Sequence, residues 1–311
     1  MGGDYRTDSS ELNTLRDFIR WGASRFSAAG LYFGHGTDNA FDEARMLVCH
    51  ALHLPFAFPD GYLAAQLTAE EIQTVVELLE ARIKTRKPAA YLTHEAWFAG
   101  LPFSVDERVL VPRSPMAEWI ERGFSPWLEA DAVDRVLDLC TGGGCIAIAC
   151  AVHFDNAEVD AVELSPEAIE VARQNIERHA LEDWVNLYQS DLFEALPAQQ
   201  YQLIISNPPY VSAGELQTLP EEYGHEPEMG LLADKEGLAI VVRILAHAAD
   251  YLADDGILVV EVGNSEALLV ECFPDVPFEW LEFERGGQGV FLLEAAQLKA
   301  HCPAFEAVLN Q

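Results

Sequence analysis

Apolar residues in the first third of the chain recur at the spacing of amphipathic helices. The segment TAEEIQTVVELLEARIKTRKP shows this most clearly, because Thr68 and Glu71 open it as a capping box and Pro88 closes it. Two earlier segments, SSELNTLRDFIRWGASRFSAAG and FDEARMLVCHAL, carry the same periodicity. The pattern predicts a small helical domain over residues 1 to 88. Its core positions would be Leu12, Leu15, Phe18, Ile19, Ala44, Leu47, Val48 and Ala51.

After residue 88 the pattern changes to strands. EAWFAGLPFSV predicts a hairpin that turns at Ala99 and Gly100, inside a linker over residues 89 to 113. From residue 114 to 311, the apolar runs DRVLDLC, AEVDAVELS, WVNLYQSD, YQLIISN and GILVVEVG alternate with helical segments, one of which begins at Ser165 and Pro166. This alternation predicts an α/β domain with a parallel sheet and helices on both faces. PFEWLEF and GVFLLE predict a hairpin at the sheet edge.

Composition favours a globular cytoplasmic protein. Half of the 311 residues are hydrophobic, no run approaches a membrane span, and MGGDYRTDSSELNTL lacks the basic and apolar regions of a signal peptide. The six cysteines include no C-x-x-C pair, so we expect buried free thiols and no metal site.

The charge is strongly negative and uneven. Residues 1 to 88 hold 12 acidic and 9 basic side chains, and residues 89 to 311 hold 39 and 10, so −29 of the net −32 lies in the second part. Such a surface repels phosphate backbones and attracts basic partners. Only four residues are lysine, however, and a lysine-poor acidic surface is also what a saline cytoplasm would favour.

A ligand site is predicted where the first α/β strand ends. In VLDLCTGGGCIAIA, three glycines stand between a strand and a helix, where backbone can approach a ligand closely. Gly142, Gly144 and Ala147 satisfy the dinucleotide fingerprint, and Glu163 ends the next strand. Asp138 argues against a nicotinamide-dependent enzyme, because it lies inside the strand at a position where dehydrogenases normally carry an apolar residue.

The next two strands end in polar residues as well. Asp191 follows VNLYQ, and Asn207, Pro208, Pro209 and Tyr210 follow LIIS. The crevice of an open α/β sheet lies at the carboxyl ends of its strands, so four strand ends are expected to form one site. Taken alone, Asp191 would more often be a helix cap and the two prolines a turn.

The segments DLCTGGG, AVELS, SDLF and NPPY, in this order, resemble class I S-adenosylmethionine methyltransferases that modify an amide-like nitrogen. AYLTHEAWF, VLVPRSP, HEPEMGL and GGQGVF extend the resemblance to the protein-glutamine N5-methyltransferases over roughly residues 85 to 293. VPRSPMAEW departs from the P-R-P-x-T-E of the release-factor enzymes. Together with RWGASRFSAAGLYFGHGTDN and LPEEYGHEPEMGL, this departure looks like the branch that methylates ribosomal large-subunit protein L-three.

The resemblance implies how S-adenosylmethionine would be held. Asp138 would shape the loop, Glu163 would accept from both ribose hydroxyls, and Asp191 would accept from the adenine amino group, with Leu192 or Phe193 against the ring. Glu163 stands where the family commonly has aspartate. The backbone that would cradle the methionine end comprises Cys140, Thr141, Gly142, Gly143 and Gly144, and Asn207 would border both cofactor and substrate.

The tetrad Asn207-Pro208-Pro209-Tyr210 suits a poorly nucleophilic glutamine amide. The Asn207 side-chain oxygen and the Pro208 carbonyl would accept from its two N–H groups, while Tyr210 would wall the amide plane and the prolines would keep the acceptors rigid. Pro209 is expected to contact the substrate with the rest of this run. Arg113, Glu226 and Pro227 are expected to line the substrate entrance, although a salt bridge unrelated to substrate is the equal alternative. His225 is a candidate helper or, more simply, a structural loop residue.

Three other functions compete with ribosomal protein methylation. The release-factor branch is the nearest. A nucleic-acid amino methyltransferase shares the tetrad, but the acidic second part offers no basic surface for nucleic acid, so no direct binding of it is expected. A non-catalytic binding module would have no reason to retain every cofactor and acceptor position.

Overall fold

A computed structural model describes residues 11 to 310 and divides the chain into two compact units. The helical unit comprises Met1–His94 and Pro220–His225, and the sheet unit comprises Glu95–Leu219 and Glu226–Gln311. Residues 1 to 10, the start of the predicted helical domain, lie outside the described residues. The insertion of residues 220 to 225 into the helical unit is not apparent from the sequence pattern.

The helical unit contains the predicted helices. The Thr68 and Glu71 capping box at the third of them is confirmed, and a second box, Thr14 with Asp17, starts the first. Of the predicted core positions, Leu15, Phe18, Ile19, Ala44, Leu47 and Val48 are buried. Helices α1 to α4 are Leu15–Ala28, Ala40–Ala51, Ala69–Thr85 and Ala89–Thr93. Helix α3 ends before Pro88 because Arg86 turns left-handed, at φ 56°.

A buried ion cluster anchors residues 220 to 225 in the helical unit. The Glu222 carboxylate, fully buried, accepts from the Tyr32 N–H at 3.0 Å and pairs with Arg86 at 2.8 Å and with Arg82 at 3.5 Å. Arg82 also pairs with Glu43 at 2.8 Å. The buried Arg82 and the partly buried Arg86 therefore share two buried carboxylates, and this pairing offsets the cost of removing the buried charges from water.

The sheet unit alternates strands and helices as predicted. Its strands β1 to β9 are Glu95–Phe98, Leu101–Ser104, Arg135–Leu139, Glu158–Glu163, Val185–Gln189, Tyr201–Ser206, Leu252–Glu261, Glu279–Trp280 and Val290–Glu294. Its helices α5 to α12 are Ala117–Glu121, Cys145–His153, Pro166–Arg178, Ala213–Leu216, Glu228–Leu231, Ala239–His247, Glu266–Cys272 and Ala295–Leu309.

Seven strands form one sheet in the order β5-β4-β3-β6-β7-β9-β8. The chain runs outward from β3 through β4 to β5, and then returns to lay β6 and β7 on the other side of β3. Because crossovers between parallel strands are right-handed, this reversal puts the connecting helices on opposite faces. It also opens a crevice between β3 and β6 at the carboxyl ends of the strands.

The last two strands pair antiparallel, as predicted, but only β8 lies at the edge. Strand β9 pairs antiparallel with β7 and is buried at four of its five residues. The predicted hairpin of β1 and β2 is confirmed, and its turn holds both Ala99 and Gly100 at positive φ, 47° and 74°. This is the backbone that a tight two-residue hairpin turn requires.

The cysteines are free, but they are not uniformly buried. Cys49 and Cys150 are buried, whereas Cys272, the last residue of α11, is exposed. Among residues 11 to 310, no group of His, Cys, Asp or Glu side chains could hold a metal ion. No helix in the same range is long and apolar enough to cross a membrane.

Candidate active site

The glycine turn after β3 has the geometry of a ligand cradle. Gly142 and Gly144 adopt positive φ, 56° and 82°, and a Cβ placed on Gly142 would meet nothing within 4 Å. Cys140, which has a side chain, is also left-handed at φ 60°. A non-glycine residue at such a φ stores strain that the surrounding structure must hold in place, and strain of this kind concentrates at functional sites.

Asp138 holds this turn from beneath. Its Oδ2 accepts from the Thr141 hydroxyl at 2.5 Å and from the Ala147 N–H at 3.0 Å, which ties the strand to the start of α6. Its Oδ1 is buried and has no hydrogen-bond partner among the described residues. Burial raises the pKa of Asp138 from 3.8 to about 7. A buried acceptor beside an open glycine turn suits a ligand that brings a donor or a positive charge.

Glu163, at the end of β4, faces the same turn. Its Oε2 accepts from the Gly142 N–H at 2.9 Å, and its Oε1 accepts from the N–H groups of Leu164 and Ser165, both at 2.8 Å. A carboxylate oxygen can accept more than one hydrogen bond, so the group is positioned by the backbone and still able to accept from hydroxyls. Its role toward a ribose stays a prediction.

A second strained residue lies three positions after the end of strand β5. Leu192 has φ 51° and is buried with Phe193 in the core, where Phe193 stacks on Tyr251 with ring centroids 4.8 Å apart. Asp191 forms an ion pair with Arg243 at 2.9 Å, a partner that the sequence pattern did not reveal. Contact of Asp191 and Leu192 with an adenine ring stays a prediction.

The acceptor tetrad follows β6 directly. Ser206, the last residue of β6, donates its hydroxyl to the Leu139 carbonyl at 2.7 Å and so joins β6 to β3 at the crevice. Asn207 is half-buried, Pro208 is buried, and neither carbonyl accepts a loop or turn hydrogen bond within residues 11 to 310. The Asn207 side chain and the Pro208 carbonyl therefore stay available to an outside donor.

Tyr210 is held at the other end of the tetrad. Its hydroxyl donates to Glu261 at 2.9 Å, and Glu261, the last residue of β7, also accepts from the Ser114 hydroxyl at 2.6 Å. Neither Glu261 nor Ser114 is a site residue that the sequence pattern predicts. A single acidic residue closing the apolar run ILVVE was the available signal for Glu261, and it repeats the pattern seen at Glu163.

Arg113 and Glu226 form a salt bridge with each other, which is one of the two roles predicted for them; the other is contact with the substrate. Two hydrogen bonds of 2.5 and 2.8 Å join them, and Glu226 also accepts from the Val111 N–H at 3.1 Å. Substrate contact by either residue stays a prediction. His225 belongs to the helical unit, where its Nε2 lies 2.9 Å from the Thr85 carbonyl, as expected for a structural loop residue.

Asn175 is a supporting residue that the periodicity of α7 concealed. It is fully buried, and its amide donates to the Gly143 carbonyl at 2.8 Å and to the Ser104 carbonyl at 3.0 Å. Its side-chain oxygen accepts from the Ser104 N–H at 2.7 Å. The glycine turn is thereby fixed to the hairpin strand β2, and a buried polar residue on the apolar face of a helix was the only sequence signal for it.

Comparison with known proteins agrees with this geometry. Residues 124–220 match the Methyltransferase small domain family, and residues 17–93 match the PrmC N-terminal domain family. A protein of Xanthomonas campestris pv. campestris, named ribosomal protein uL3 glutamine methyltransferase, is 51% identical over 294 residues, 94% of this chain and 95% of its own. The chain belongs to the ribosomal protein uL3 glutamine methyltransferase family.

A second relative and a solved structure are also similar to this chain. A family member from Xylella fastidiosa is 50% identical over 293 residues, which are 94% of each chain. A solved methyltransferase from Pyrococcus furiosus is 24% identical, covers 68% of this chain and 95% of its own, and has a TM-score of 0.47. The family resemblance predicted from DLCTGGG, NPPY and the flanking segments is confirmed, and so is the α/β methyltransferase fold with a helical amino-terminal region.

Proposed function

We propose that this chain transfers a methyl group from S-adenosylmethionine to the side-chain amide nitrogen of a glutamine in ribosomal protein uL3. The observation that carries the proposal is the free pair of acceptors, the Asn207 side chain and the Pro208 carbonyl, at the mouth of the crevice between β3 and β6. Membership of a family whose curated relatives carry that activity in their name supports it.

The residues at three strand ends fit the cofactor. The open turn from Cys140 to Gly144 and Asp138 Oδ1, which has no partner in the described part of the chain, suit its positively charged methionine end. Glu163 and Asp191 offer carboxylates to its ribose and adenine. When bound there, S-adenosylmethionine supplies an electrophilic methyl group on a sulfonium.

The protein's own contribution to the reaction is to aim and polarise the amide. A glutamine amide nitrogen is a weak nucleophile because its lone pair is delocalised into the carbonyl. If Asn207 and Pro208 accept from its two N–H groups, electron density on nitrogen increases and the amide is fixed in one orientation. No general base is required, because an N-protonated amide is strongly acidic and loses its proton to water.

The charge of the chain favours a basic protein substrate. The part of the sequence beyond residue 88 holds −29 of the net −32. Complementary charge accelerates encounter, and the same field repels the phosphates of free nucleic acid. A protein that must bind ribosomal RNA is basic, so uL3 before its assembly into the large subunit suits this surface better than the finished particle does.

A substrate panel tests the proposal. The purified protein is given labelled S-adenosylmethionine with free uL3, large subunits, release factor or naked RNA, and the modified residue is located by mass spectrometry. We expect methylation of one glutamine of free uL3. Preferred methylation of release factor would assign the chain a different protein substrate, and methylated RNA would overturn the protein-substrate proposal. A catalytically silent chain that still binds the cofactor would mark it as a binding module.

A further inference from the structure

The carboxyl end of β7 adds a fifth strand end to the site. Glu261 is 5% exposed, and its two carboxylate oxygens each accept one hydroxyl: Oε2 from Ser114 at 2.6 Å and Oε1 from Tyr210 at 2.9 Å. Ser114 precedes α5 and is itself buried. The Tyr210 phenol is therefore held by a buried carboxylate that a second hydroxyl fixes in turn.

Two glycines hold Tyr210 from other directions. A Cβ on Gly263 would lie 2.4 Å from Cε2 of the Tyr210 ring, and a Cβ on Gly237 would lie 2.2 Å from the Tyr210 carbonyl oxygen. Both glycines have positive φ, 49° and 93°. Ring and backbone of Tyr210 thus fit against two positions where only glycine leaves room.

We propose that Glu261 is a positioning residue for methyl transfer. It fixes the Tyr210 ring by accepting the Tyr210 hydroxyl, while the Ser114 hydroxyl fixes Glu261 and the two glycines confine the ring and backbone of Tyr210. This inference rests on the proposed function, in which the ring of Tyr210, three residues after Asn207, forms a wall for the substrate amide. Without Glu261 the Tyr210 ring is no longer held in one orientation. The substrate amide would then lack a rigid surface to pack against.

The ionised carboxylate is the form that holds both hydroxyls. An ionised carboxylate only accepts, so it satisfies two donors at once, whereas the protonated acid carries a donor of its own. Burial raises the pKa of Glu261, against the donors Ser114 and Tyr210 and the positive charge of Arg113. The titratable groups around it are the Tyr210 phenol, the Arg113 guanidinium and the Cys145 thiol. Proton uptake by Glu261 should therefore loosen the ring at the acid end of the activity range.

The chain supplies a matched control for the phenol and carboxylate pair. Tyr201, the first residue of β6, donates its hydroxyl to the buried Asp160 at 2.7 Å. Tyr201 and Ser206 stand at opposite ends of that strand, roughly 16 Å apart at strand spacing. Loss of the Tyr201 hydroxyl therefore removes the same kind of hydrogen bond from the same sheet, but away from the carboxyl ends.

The kinetic test compares Glu261→Gln and Tyr210→Phe with Tyr201→Phe. We expect Glu261→Gln to lower kcat for uL3 between tenfold and about a hundredfold, with the Kd for S-adenosylmethionine within about threefold. The Tyr210→Phe change should add little in the Glu261→Gln background, because both substitutions break the same contact. The acid limb of the kcat profile should disappear in Glu261→Gln, and Tyr201→Phe should leave both kcat and that limb unchanged.

A second measurement follows the flip rate of the Tyr210 ring. In a protein with labelled tyrosine, assigned by the Tyr210→Phe spectrum, the Tyr210 ring should flip slowly in the wild type and fast in Glu261→Gln. A slow ring and a normal kcat in Glu261→Gln would overturn the inference. A wild-type protein that leaves uL3 unmodified would instead count against the proposed function, and the ring measurement would still decide whether Glu261 holds Tyr210.

Discussion

At the scale of single residues, the site is built from groups that are costly to keep where they are. Cys140 and Leu192 are both left-handed without being glycine, and each follows a strand that ends in the crevice. Such a backbone costs about 1 to 3 kcal/mol for each residue. Asp138 adds a buried carboxylate, one oxygen of which has no hydrogen-bond partner within residues 11 to 310. These costs fall at the positions where the cofactor is proposed to bind, and not elsewhere in the same strands.

Asp138 should make folding stability depend on pH. Its pKa is raised from 3.8 to about 7, so the folded state holds this proton more tightly than the unfolded state does. The contribution is fully present below about pH 4 and is lost as pH rises to about 7, for a total of about 4 kcal/mol. Asp138→Asn cannot titrate, and its amide oxygen can still accept from Thr141 and Ala147.

Urea unfolding of both proteins from pH 4 to 8 measures this difference. We expect the free energy of unfolding of the wild type to fall relative to that of Asp138→Asn across the range, with the variant the more stable at pH 8. A constant difference between the two proteins at all pH values would mean that the carboxylate is ionised throughout, and that the unpaired oxygen costs little.

The sequence revealed the residues of the site better than their supports. Two local patterns require a particular backbone conformation and can therefore be recognised in the sequence. They are the glycines between a strand and a helix, and the Asn-Pro-Pro-Tyr run after a strand. Arg243 with Asp191 and Ser114 with Glu261 join residues 52 and 147 positions apart. Such pairs depend on tertiary packing, and nothing in the neighbouring sequence encodes them.

At the scale of elements, the caps and strands follow from local sequence, but the sheet edge and the 220 to 225 segment do not. Thr68 and Glu71 start α3 because their side chains satisfy backbone donors at its first turn. From its position near the end of the chain, β9 is predicted to be an edge strand, yet it lies between β7 and β8. Consecutive residues of β9 are buried, so both of its faces are covered. Glu222 looks like one acid in the polar run LPEEYGHEPE, but it is fully buried.

The Glu222 ion cluster should be a main source of stability in the helical unit. Glu222→Ala would leave the buried Arg82 and the partly buried Arg86 short of a negative partner, at a cost of about 3 kcal/mol. Glu221 is the matched control: its carboxylate lies 3.2 Å from Arg86, but its side chain is 74% exposed.

We expect Glu221→Ala to change the free energy of unfolding by no more than about 0.5 kcal/mol, as for exposed ion pairs. Chemical denaturation of the three proteins, followed by circular dichroism at a helical wavelength, gives the comparison. Equal effects of the two substitutions would show that burial of Glu222 contributes nothing beyond an ordinary surface contact.

At the scale of the whole molecule, charge is the property with the clearest functional consequence. If the net −32 guides a basic substrate, kcat/KM for uL3 should fall steeply with salt, because the Debye length shortens from about 10 Å at 0.1 M to about 3 Å at 1 M. A short uncharged glutamine peptide is the control, and its kcat/KM should barely change. An optimum for both substrates at molar salt would identify the acidity as an adaptation to a saline cytoplasm.

In the proposed mechanism, Asn207 activates the substrate amide without holding the cofactor's adenosine. The most direct test is the single-turnover rate of methyl transfer to uL3 by Asn207→Ala, with the Kd for S-adenosylmethionine measured by calorimetry. Asn186→Ala is the control, since Asn186 lies within β5 and donates to Asp160. We predict a loss on the order of a hundredfold for Asn207→Ala, a Kd within a few fold of the wild type, and a normal rate for Asn186→Ala. A near-normal transfer rate in Asn207→Ala would contradict the account.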